Sequence, residues 1–222
     1  ISQALQVEHF YFNAEYPINE VNRDLAVNQL LRDNGILVKR CHDRCIVPPG
    51  MIRNGQGEPY KVFTAFKKKW LSMVMPISMQ PLGLPAKQSD SIAINAASKE
   101  EIDQLFSDEL RDLSALWPAG EQEAYRRLDR FIEQSLSGYK DQRDFPAVAG
   151  TSVLSPYFAV GSLSPRQAIA AVLAHTQGEW EGGNAGAECW IGELIWREFY
   201  QHVVADYPQV CKRKAMQAHT EG

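Results

Sequence analysis

The sequence predicts an α/β plus all-α fold: a partial parallel α/β domain, then a linker, then the first part of a helical domain. Residues 7–41 carry patterns for a strand, a helix and a second strand, and this order and spacing are typical of a βαβ unit with a parallel sheet. Residues 75–98 are rich in proline, serine and small residues and have no clear period, which is typical of a linker. After residue 98 only helical patterns follow, so we expect the second part of the chain to be all-helical.

The α/β part is predicted from local signals. Residues 7–13, VEHFYFN, form a short apolar and aromatic run, which predicts a buried strand. A helical pattern runs from Ile18 to Leu31 and ends at Asn34-Gly35, a pair that is typical of a helix C-terminus. Residues 36–41 then predict the second strand.

The helical part is predicted from periodicity. Residues 64–74, TAFKKKWLSMV, predict a short helix with a basic face ahead of the linker. Beyond the linker we expect further helices over residues 99–114, 120–137, 155–161, 164–176 and 184–206.

The composition of the 222-residue chain is that of an ordinary globular protein, with 45% hydrophobic and 23% charged residues. Its net charge of −4 excludes a globally basic nucleic-acid binder and leaves room for a local basic patch. The sequence contains no run of 18 apolar residues, so we expect no membrane-spanning helix. The four cysteines form no dense disulfide framework, so we expect a reduced, cytoplasmic compartment. We also expect a monomer that makes no contact with a membrane.

No metal site and no conventional nucleophile are expected. The stretch CHDRC, residues 41–45, places a histidine between two cysteines, but zinc sites usually need a second such cluster. Cys189 and Cys211 each stand alone. The chain also lacks a Gly-rich P-loop, a G-x-S-x-G elbow and an H-E-x-x-H motif, so a hydrolase with a conventional nucleophile is not supported.

The stretch around residues 150–166 has two interpretations. Ser155-Pro156 and Ser164-Pro165 each fit an N-cap serine followed by proline at the first helical position. Thr151 and Ser152 follow Gly150 just ahead of a predicted helix start, where hydroxyl groups, free backbone N–H groups and the helix dipole could hold a phosphate. Spacing alone leaves both open.

The segment ECWIGELIWREFY, residues 188–200, predicts a helix with an unusual second face. At roughly 100° per residue, six side chains share an arc of about 160°: Trp190, Glu193, Leu194, Trp196, Arg197 and Tyr200. Ile191, Ile195 and Phe199 lie on the other side and are typical of a core. Because a solvated face seldom contains two tryptophans and a buried face seldom contains unpaired charges, the mixed arc favours a planar, polar ligand.

Four blocks of the sequence, in order, closely resemble the bacterial class I DNA photolyases of the photolyase/cryptochrome family. They are FYFNAEYPINEVNRD (10–24), VPPGMIRNGQGEPYKVFTAFKKKW (47–70), YKDQRDFPAVAGTSVLSPYFAVGSLSPR (139–166) and ECWIGELIWREFY (188–200) with YPQVCK (207–212). The resemblance implies the C-terminal part of an α/β antenna domain at residues 1–47, an interdomain linker at 48–115 and the N-terminal part of a helical FAD-binding domain at 116–222.

The resemblance also implies an activity: reduced FAD donates an electron to a cyclobutane pyrimidine dimer flipped out of DNA and splits it, with 5,10-methenyltetrahydrofolate as antenna. It implies catalytic roles for Glu193, a hydrogen-bond donor to the dimer if protonated, and for Trp196, against which the dimer packs. The implied flavin contacts are Tyr139, Thr151, Ser152, Val153, Leu154, Ser155, Trp190 and Arg197. The implied antenna contacts are Asn19, Glu20, Cys211 and Lys212. The implied DNA contacts are Arg143, Glu193, Trp196, Arg197 and Tyr200.

A cryptochrome, which shares the fold and flavin without repair, is the alternative. The resemblance favours repair because Glu193 and Trp196 are both present, whereas many cryptochromes replace one or both. A (6-4) photolyase typically carries a different residue at the Glu193 position. The chain begins at Ile1, close to a strand, and ends without a closing element, so we expect a fragment of a longer protein. An α/β–α binding module that uses none of these residues is a third possibility.

Overall fold

The computed structural model describes residues 6–83, 86, 98–105 and 116–216. The strands and helices follow in this order: β1 (His9–Asn13), α1 (Ile18–Asp33), β2 (Leu37–Cys41), α2 (Phe63–Val74), α3 (Lys99–Asp103), α4 (Glu121–Gln134), α5 (Tyr139–Gln142), α6 (Ser155–Val160), α7 (Pro165–His175), α8 (Ala185–Asp206) and a 3-10 helix (Pro208–Lys212). The predicted α/β plus all-α fold is confirmed. Across the described residues, no helix combines the length and apolar character that crossing a bilayer requires.

The front of the chain is the predicted βαβ unit. Strands β1 and β2 pair in parallel, with His9 opposite Leu37 and Asn13 opposite Cys41. Helix α1 connects them and packs against β2. It ends where the sequence indicates, because Asn34 caps it through backbone hydrogen bonds and Gly35 adopts a φ of 76°, a left-handed conformation that glycine reaches at no steric cost.

The prediction that residues 7–13 form a buried strand is wrong in its burial. The side chains of β1 alternate between exposed and half-buried, and Tyr11 is 61% exposed. A strand is buried on both faces only when further layers cover the sheet. Among the described residues the sheet has two strands, and this pair leaves much of β1 open to solvent.

Helix α8 lies at the centre of the helical part and packs against α2, α5 and α7. Its buried side chains Ile191, Ile195 and Phe199 confirm the predicted core side of this helix. The same core includes Val47 and Ile52, which precede α2. The segment between the two predicted domains therefore packs as part of the helical core, while the domain boundaries at residues 47 and 115 stay predictions.

A polar junction joins α8 to the segment that follows β2. The carboxylate of Glu198 accepts hydrogen bonds from the backbone N–H groups of Ile46 (2.9 Å) and Val47 (2.7 Å) and from the indole Nε1 of Trp70 (2.7 Å). One turn later, Nε2 of His202 lies 2.9 Å from the carbonyl oxygen of Val47. The two buried side chains thus bind both backbone polar groups of Val47, which locks the segment after β2 against α8.

Helix starts and ends agree in part with the predictions. Ser164 caps α7 and forms a capping box with Gln167, as expected of an N-cap serine. Ser155 is the first helical residue of α6, and Leu154 occupies the N-cap position without a side-chain cap hydrogen bond. The N-cap prediction is therefore wrong there. The helix predicted over 99–114 begins as α3, and its second half lies outside the described residues. Most of the linker predicted over residues 75–98 also lies outside them.

Candidate functional site

A surface cavity of about 300 Å³ lies where α2, α5 and α8 meet. Helix α2 contributes Lys67, the end of α5 contributes Lys140 and Arg143, and α8 contributes Glu193 and Trp196. The structure therefore brings together Arg143, Glu193 and Trp196 from the predicted set. It adds Lys67 and Lys140, and because Glu188 also lines the cavity, charged side chains of both signs surround it.

The guanidinium of Arg143 donates a hydrogen bond from Nη1 to the carboxylate of Glu193. This hydrogen bond and the negative charge of the carboxylate raise the pKa of Arg143 above its ordinary value. A paired carboxylate accepts hydrogen bonds and donates none. In this structure Glu193 is the acceptor of the pair, so a ligand that binds Glu193 must compete with Arg143.

Trp196 belongs to an aromatic cluster at the edge of the cavity. Its ring stacks on that of Phe63 with centroids 3.6 Å apart and an angle of 9°. On α8 it also contacts Tyr200, with centroids 5.6 Å apart, and the edge of Phe199 at 5.7 Å. Tyr200 is 57% exposed, so the cluster presents an aromatic surface to solvent beside the charged side chains of the cavity.

The mixed arc of α8 divides between three environments. Trp190 and Leu194 are buried in the core, and the Trp190 ring lies 5.3 Å from that of Phe131. Only Glu193 and Trp196 line the cavity itself, with Tyr200 beside Trp196. An arc of about 160° is wider than one neighbour can cover, so its edges meet different partners.

Arg197 lies on the third side of the arc, away from Glu193. Its Nη1 donates to the carbonyl oxygen of Arg44 at 2.6 Å, and its guanidinium lies over the ring of Phe158 at 5.8 Å. Burial lowers the pKa of Arg197. It lines a separate cavity of about 200 Å³ together with Glu15.

The loop over residues 151–155 lies against the helix that carries Tyr139. Gly150 is buried so close to α5 that an added Cβ would come within 2.7 Å of the Cβ of Gln142. Val153 adopts a φ of 53°, which is costly for a β-branched residue and is a conformation that often marks functional loops. Thr151, Val153 and Ser155 are exposed, whereas Leu154 is buried. Gly150, just ahead of this loop, therefore packs against α5, and the hydroxyl groups of Thr151, Ser152 and Ser155 are at least partly exposed.

Tyr139, the first residue of α5, is buried. Its ring meets that of Phe131 edge-on at 5.7 Å, and the guanidinium of Arg143 lies 6.0 Å from its centroid. Burial raises the pKa of Tyr139, so its phenol stays protonated at neutral pH. Tyr139 therefore lies between the core residue Phe131 and the cavity residue Arg143.

The four predicted antenna contacts lie on two neighbouring elements. Asn19 and Glu20 occupy the first turn of α1, and Cys211 and Lys212 end the 3-10 helix. The residues that precede α1 pack against the last turns of α8, in a small cluster of Ala14, Tyr16, Cys45, Val204 and Ala205. Both elements therefore begin close to this cluster, and all four side chains are at least partly exposed.

The CHDRC stretch is engaged in packing. Cys45 is buried, and burial raises the pKa of its thiol. His42 is exposed, and its Nδ1 lies 2.9 Å from the hydroxyl of Tyr16. Within the part of the chain that the structure describes, no group of three or more His, Cys, Asp or Glu side chains is placed to hold a metal ion.

Sequence reasoning missed Glu198, Phe63 and the two cavity lysines. For Glu198 a signal was present: it lies between Ile195, Phe199 and His202 at helical spacing, so it is a carboxylate on the core side of α8. Lys67 belongs to the basic face predicted for residues 64–74, but no local signal places Phe63, Lys67 or Lys140 at the cavity, because that depends on how α2 and α5 dock against α8.

Comparison with known proteins relates the chain to the DNA photolyases. Residues 1–86 match the family model described as DNA photolyase. The chain is 37% identical over 216 residues to deoxyribodipyrimidine photo-lyase of Escherichia coli (strain K12), an alignment that covers 97% of this chain and 44% of the relative. It is 33% identical over 221 residues to deoxyribodipyrimidine photo-lyase of Neurospora crassa, covering 93% and 36%. The chain thus spans less than half the length of these relatives.

Solved structures show the same fold. A bacterial class III photolyase from Agrobacterium tumefaciens superposes with a TM-score of 0.75 at 25% identity, over 94% of this chain and 43% of that chain. A cryptochrome from Synechocystis sp. PCC6803 superposes with a TM-score of 0.74 at 24% identity, over 94% and 44%. At 24% identity, the likeness to the cryptochrome shows the fold alone.

Proposed function

The chain belongs to the DNA photolyase family, and on that premise we propose that its full-length protein is a light-dependent DNA repair enzyme, a deoxyribodipyrimidine photo-lyase. Its partner is DNA that contains a cyclobutane pyrimidine dimer. The observation that carries the proposal is the cavity in which Arg143, Glu193 and Trp196 meet, because it combines an aromatic surface, a carboxylate and cations within one concave site.

Each cavity residue suits a flipped-out lesion. A nucleotide that leaves the duplex loses its stacking neighbours, and the Trp196 surface replaces them. Glu193 binds the polar edge of the pyrimidines, and Arg143 contacts the phosphate backbone. Because Arg143 is paired with Glu193 in the free site, a lesion that engages Glu193 releases the guanidinium for a phosphate. Tyr200 extends the aromatic surface towards the flanking DNA.

The loop over 151–155 and Tyr139 fit the phosphates of FAD. The exposed hydroxyl group of Thr151 and that of Ser155, which is not used as a helix cap, offer hydrogen bonds to a phosphate. Leu154 anchors the loop in the core. The resemblance adds Trp190 and Arg197 as flavin contacts: the buried Trp190 ring would supply an apolar wall, and Arg197, which here donates to the Arg44 carbonyl oxygen, would supply a cation. When bound, reduced FAD supplies the electron that splits the dimer.

Asn19, Glu20, Cys211 and Lys212 suit a 5,10-methenyltetrahydrofolate antenna. A pterin presents an edge of donors and acceptors, and the amide of Asn19 and the carboxylate of Glu20 offer the complementary groups. The position of these residues near the cluster of Tyr16 and Val204 supports a shared pocket between α1 and the 3-10 helix.

A cryptochrome-type photoreceptor is the second candidate, and the likeness of fold to the Synechocystis cryptochrome favours it. Repair is the better-supported function because a photoreceptor needs the flavin fold but has no need for an aromatic and charged cavity of this kind beside α8.

The test is to replace Trp196 with alanine in the full-length protein and titrate duplex DNA with and without one dimer. We expect the affinity for damaged DNA to fall by about 5- to 150-fold, the loss of one base–aromatic stack. Affinity for undamaged DNA should stay unchanged, because phosphate contacts hold it.

Trp117→Ala is the matched control, since Trp117 is also partly exposed but lies against Arg127, outside the cavity. It should leave both affinities unchanged, and both variants should keep their flavin. If Trp196→Ala still preferred damaged DNA as strongly as the wild type does, the lesion site would not lie at Trp196 on α8. That result would favour the photoreceptor.

A further inference from the structure

Helix α2 meets α8 along one stripe of aromatic side chains. Phe63, Phe66 and Trp70 are spaced at i, i+3 and i+7, so they share one face of α2. Phe66 and Trp70 are each 1% exposed. The Phe66 ring lies 5.1 Å from that of Phe199, and the Trp70 indole donates to Glu198. The C-terminal two thirds of this stripe therefore fix α2 against α8.

Phe63 is the first residue of α2 and the end of the same stripe, next to the cavity. Its ring covers one face of Trp196 at 3.6 Å and 9°. Aromatic pairs left to themselves prefer offset or edge-on arrangements over a full face-to-face overlap. The flat overlap is therefore imposed by the docking of α2 on α8 rather than by the two rings.

This contact has two consequences for Trp196. Trp196 is partly exposed, and a partly exposed side chain can change rotamer, so that ordering it on ligand binding costs free energy. A flat partner on a fixed helix removes that freedom before the ligand arrives. It also occupies one face of the indole, so a ligand can use only the remaining surface, towards Glu193 and Tyr200.

We propose that Phe63 is a positioning residue that holds the Trp196 indole in the orientation that receives a flipped-out pyrimidine dimer, so that α2 forms the back wall of the lesion site. This inference rests on the proposed function. Phe63 touches no lesion itself and acts through Trp196. The proposal gives the predicted interdomain linker, residues 48–115, an indirect part in damage recognition.

The experiment compares three variants of the full-length protein in the same titrations. Phe63→Leu keeps an apolar side chain of similar size and removes the flat ring. Phe63→Tyr keeps the ring. Val62→Ala changes the neighbouring side chain, which is 64% exposed. Flavin content and thermal midpoint are measured on each protein to establish that it is folded.

We expect Phe63→Leu to lower the affinity for dimer-containing DNA by about 2- to 10-fold, the range for one aromatic pair. The affinity for undamaged DNA should not change. Phe63→Tyr, which keeps the ring, should retain the wild-type preference for damaged DNA. Val62→Ala should match the wild type. A purely structural role would lower the thermal midpoint or flavin content of Phe63→Leu and leave the preference intact.

A wild-type preference in Phe63→Leu overturns the inference, as does an equal loss on damaged and undamaged DNA or a Tyr variant that fails to retain the preference. If the wild-type protein itself shows no preference for damaged DNA, the proposed function fails, and this inference fails with it. The two failures are thus distinguished by the wild-type titration.

Discussion

Glu198 shows how one buried side chain can tie separate segments together. It is 1% exposed and accepts hydrogen bonds from two backbone N–H groups after β2 and from the Trp70 indole. Burial raises the pKa of Glu198 to about 7, although the three donors act in the opposite direction. Loss of the carboxylate would leave these buried donors without a partner, which costs about 1–3 kcal/mol for each.

The raised pKa makes a prediction about stability and pH. Between the ordinary value of 4.5 and the folded value of about 7, the native state binds a proton that the unfolded state has released. Stability therefore falls as pH rises through this window, by up to about 3 kcal/mol from this group. Urea unfolding of the wild type at pH 5, 6 and 7.5 measures the slope.

Glu198→Gln should be less stable than the wild type at pH 5 and should lack this slope, because glutamine does not titrate. Glu133→Gln, which changes an exposed carboxylate on α4, should keep the wild-type slope. A slope of wild-type size in Glu198→Gln would show that another group causes the dependence.

At the scale of elements, α8 serves several neighbours at once. Its cavity side presents Glu193 and Trp196, its core side packs against α5 and α7, and its third side holds the segment after β2. The approach to the turn between α4 and α5 is especially close, because Gly186 in the first turn of α8 lies against the carbonyl oxygens of Leu136 and Ser137.

Gly186→Ala tests this close approach. An added Cβ would lie 1.9 Å from the carbonyl oxygen of Leu136, so the backbone must move. We expect a loss of stability of about 1–3 kcal/mol or more, the usual cost of overpacking. The measurement is the free energy of unfolding in urea.

Gly192→Ala is the matched control on the same helix, because nothing lies within 4 Å of its added Cβ. Alanine is the better helix former, so this variant should be as stable as the wild type or more stable by up to about 1 kcal/mol. Equal stability of both variants would contradict the close packing of α8 against this turn.

At the scale of the whole molecule, polar contacts join the last turns of α8 to the segment that follows β2. Arg53 forms two hydrogen bonds of 2.7 and 2.6 Å with Asp206, beside the Glu198 and His202 contacts. The proposed antenna residues lie on α1 (Asn19 and Glu20) and at the end of the 3-10 helix (Cys211 and Lys212), whereas the proposed flavin contacts Tyr139 and the 151–155 loop lie on other elements.

This separation predicts that the antenna can be lost alone. Glu20→Ala in the full-length protein should lower the folate content and leave the flavin content and flavin-driven repair unchanged. Absorption spectra of the purified protein report both chromophores. Asp33→Ala, at the other end of α1, should change neither. Undiminished folate absorption in Glu20→Ala would argue against Asn19 and Glu20 as antenna contacts.

Much of the fold could be predicted from the sequence because its signals are local. The bounds of α1 and β2, the parallel pairing implied by a βαβ unit, and the capping box at Ser164 depend on residues within a few positions of one another. The resemblance to a family also identified Arg143, Glu193 and Trp196, which the structure gathers in one cavity.

The tertiary structure alone decided which of these side chains work together. Glu198 and Val47 are 151 positions apart, Arg143 and Glu193 are 50 apart, and the Phe63 ring reaches Trp196 only because α2 docks on α8. The exposure of β1 likewise depends on what covers the sheet. Periodicity and capping describe the neighbours of a residue along the chain, whereas burial, ion pairing and stacking are set by segments that meet only after folding. The sequence by itself therefore determined the elements and the residue types, and packing determined their partners.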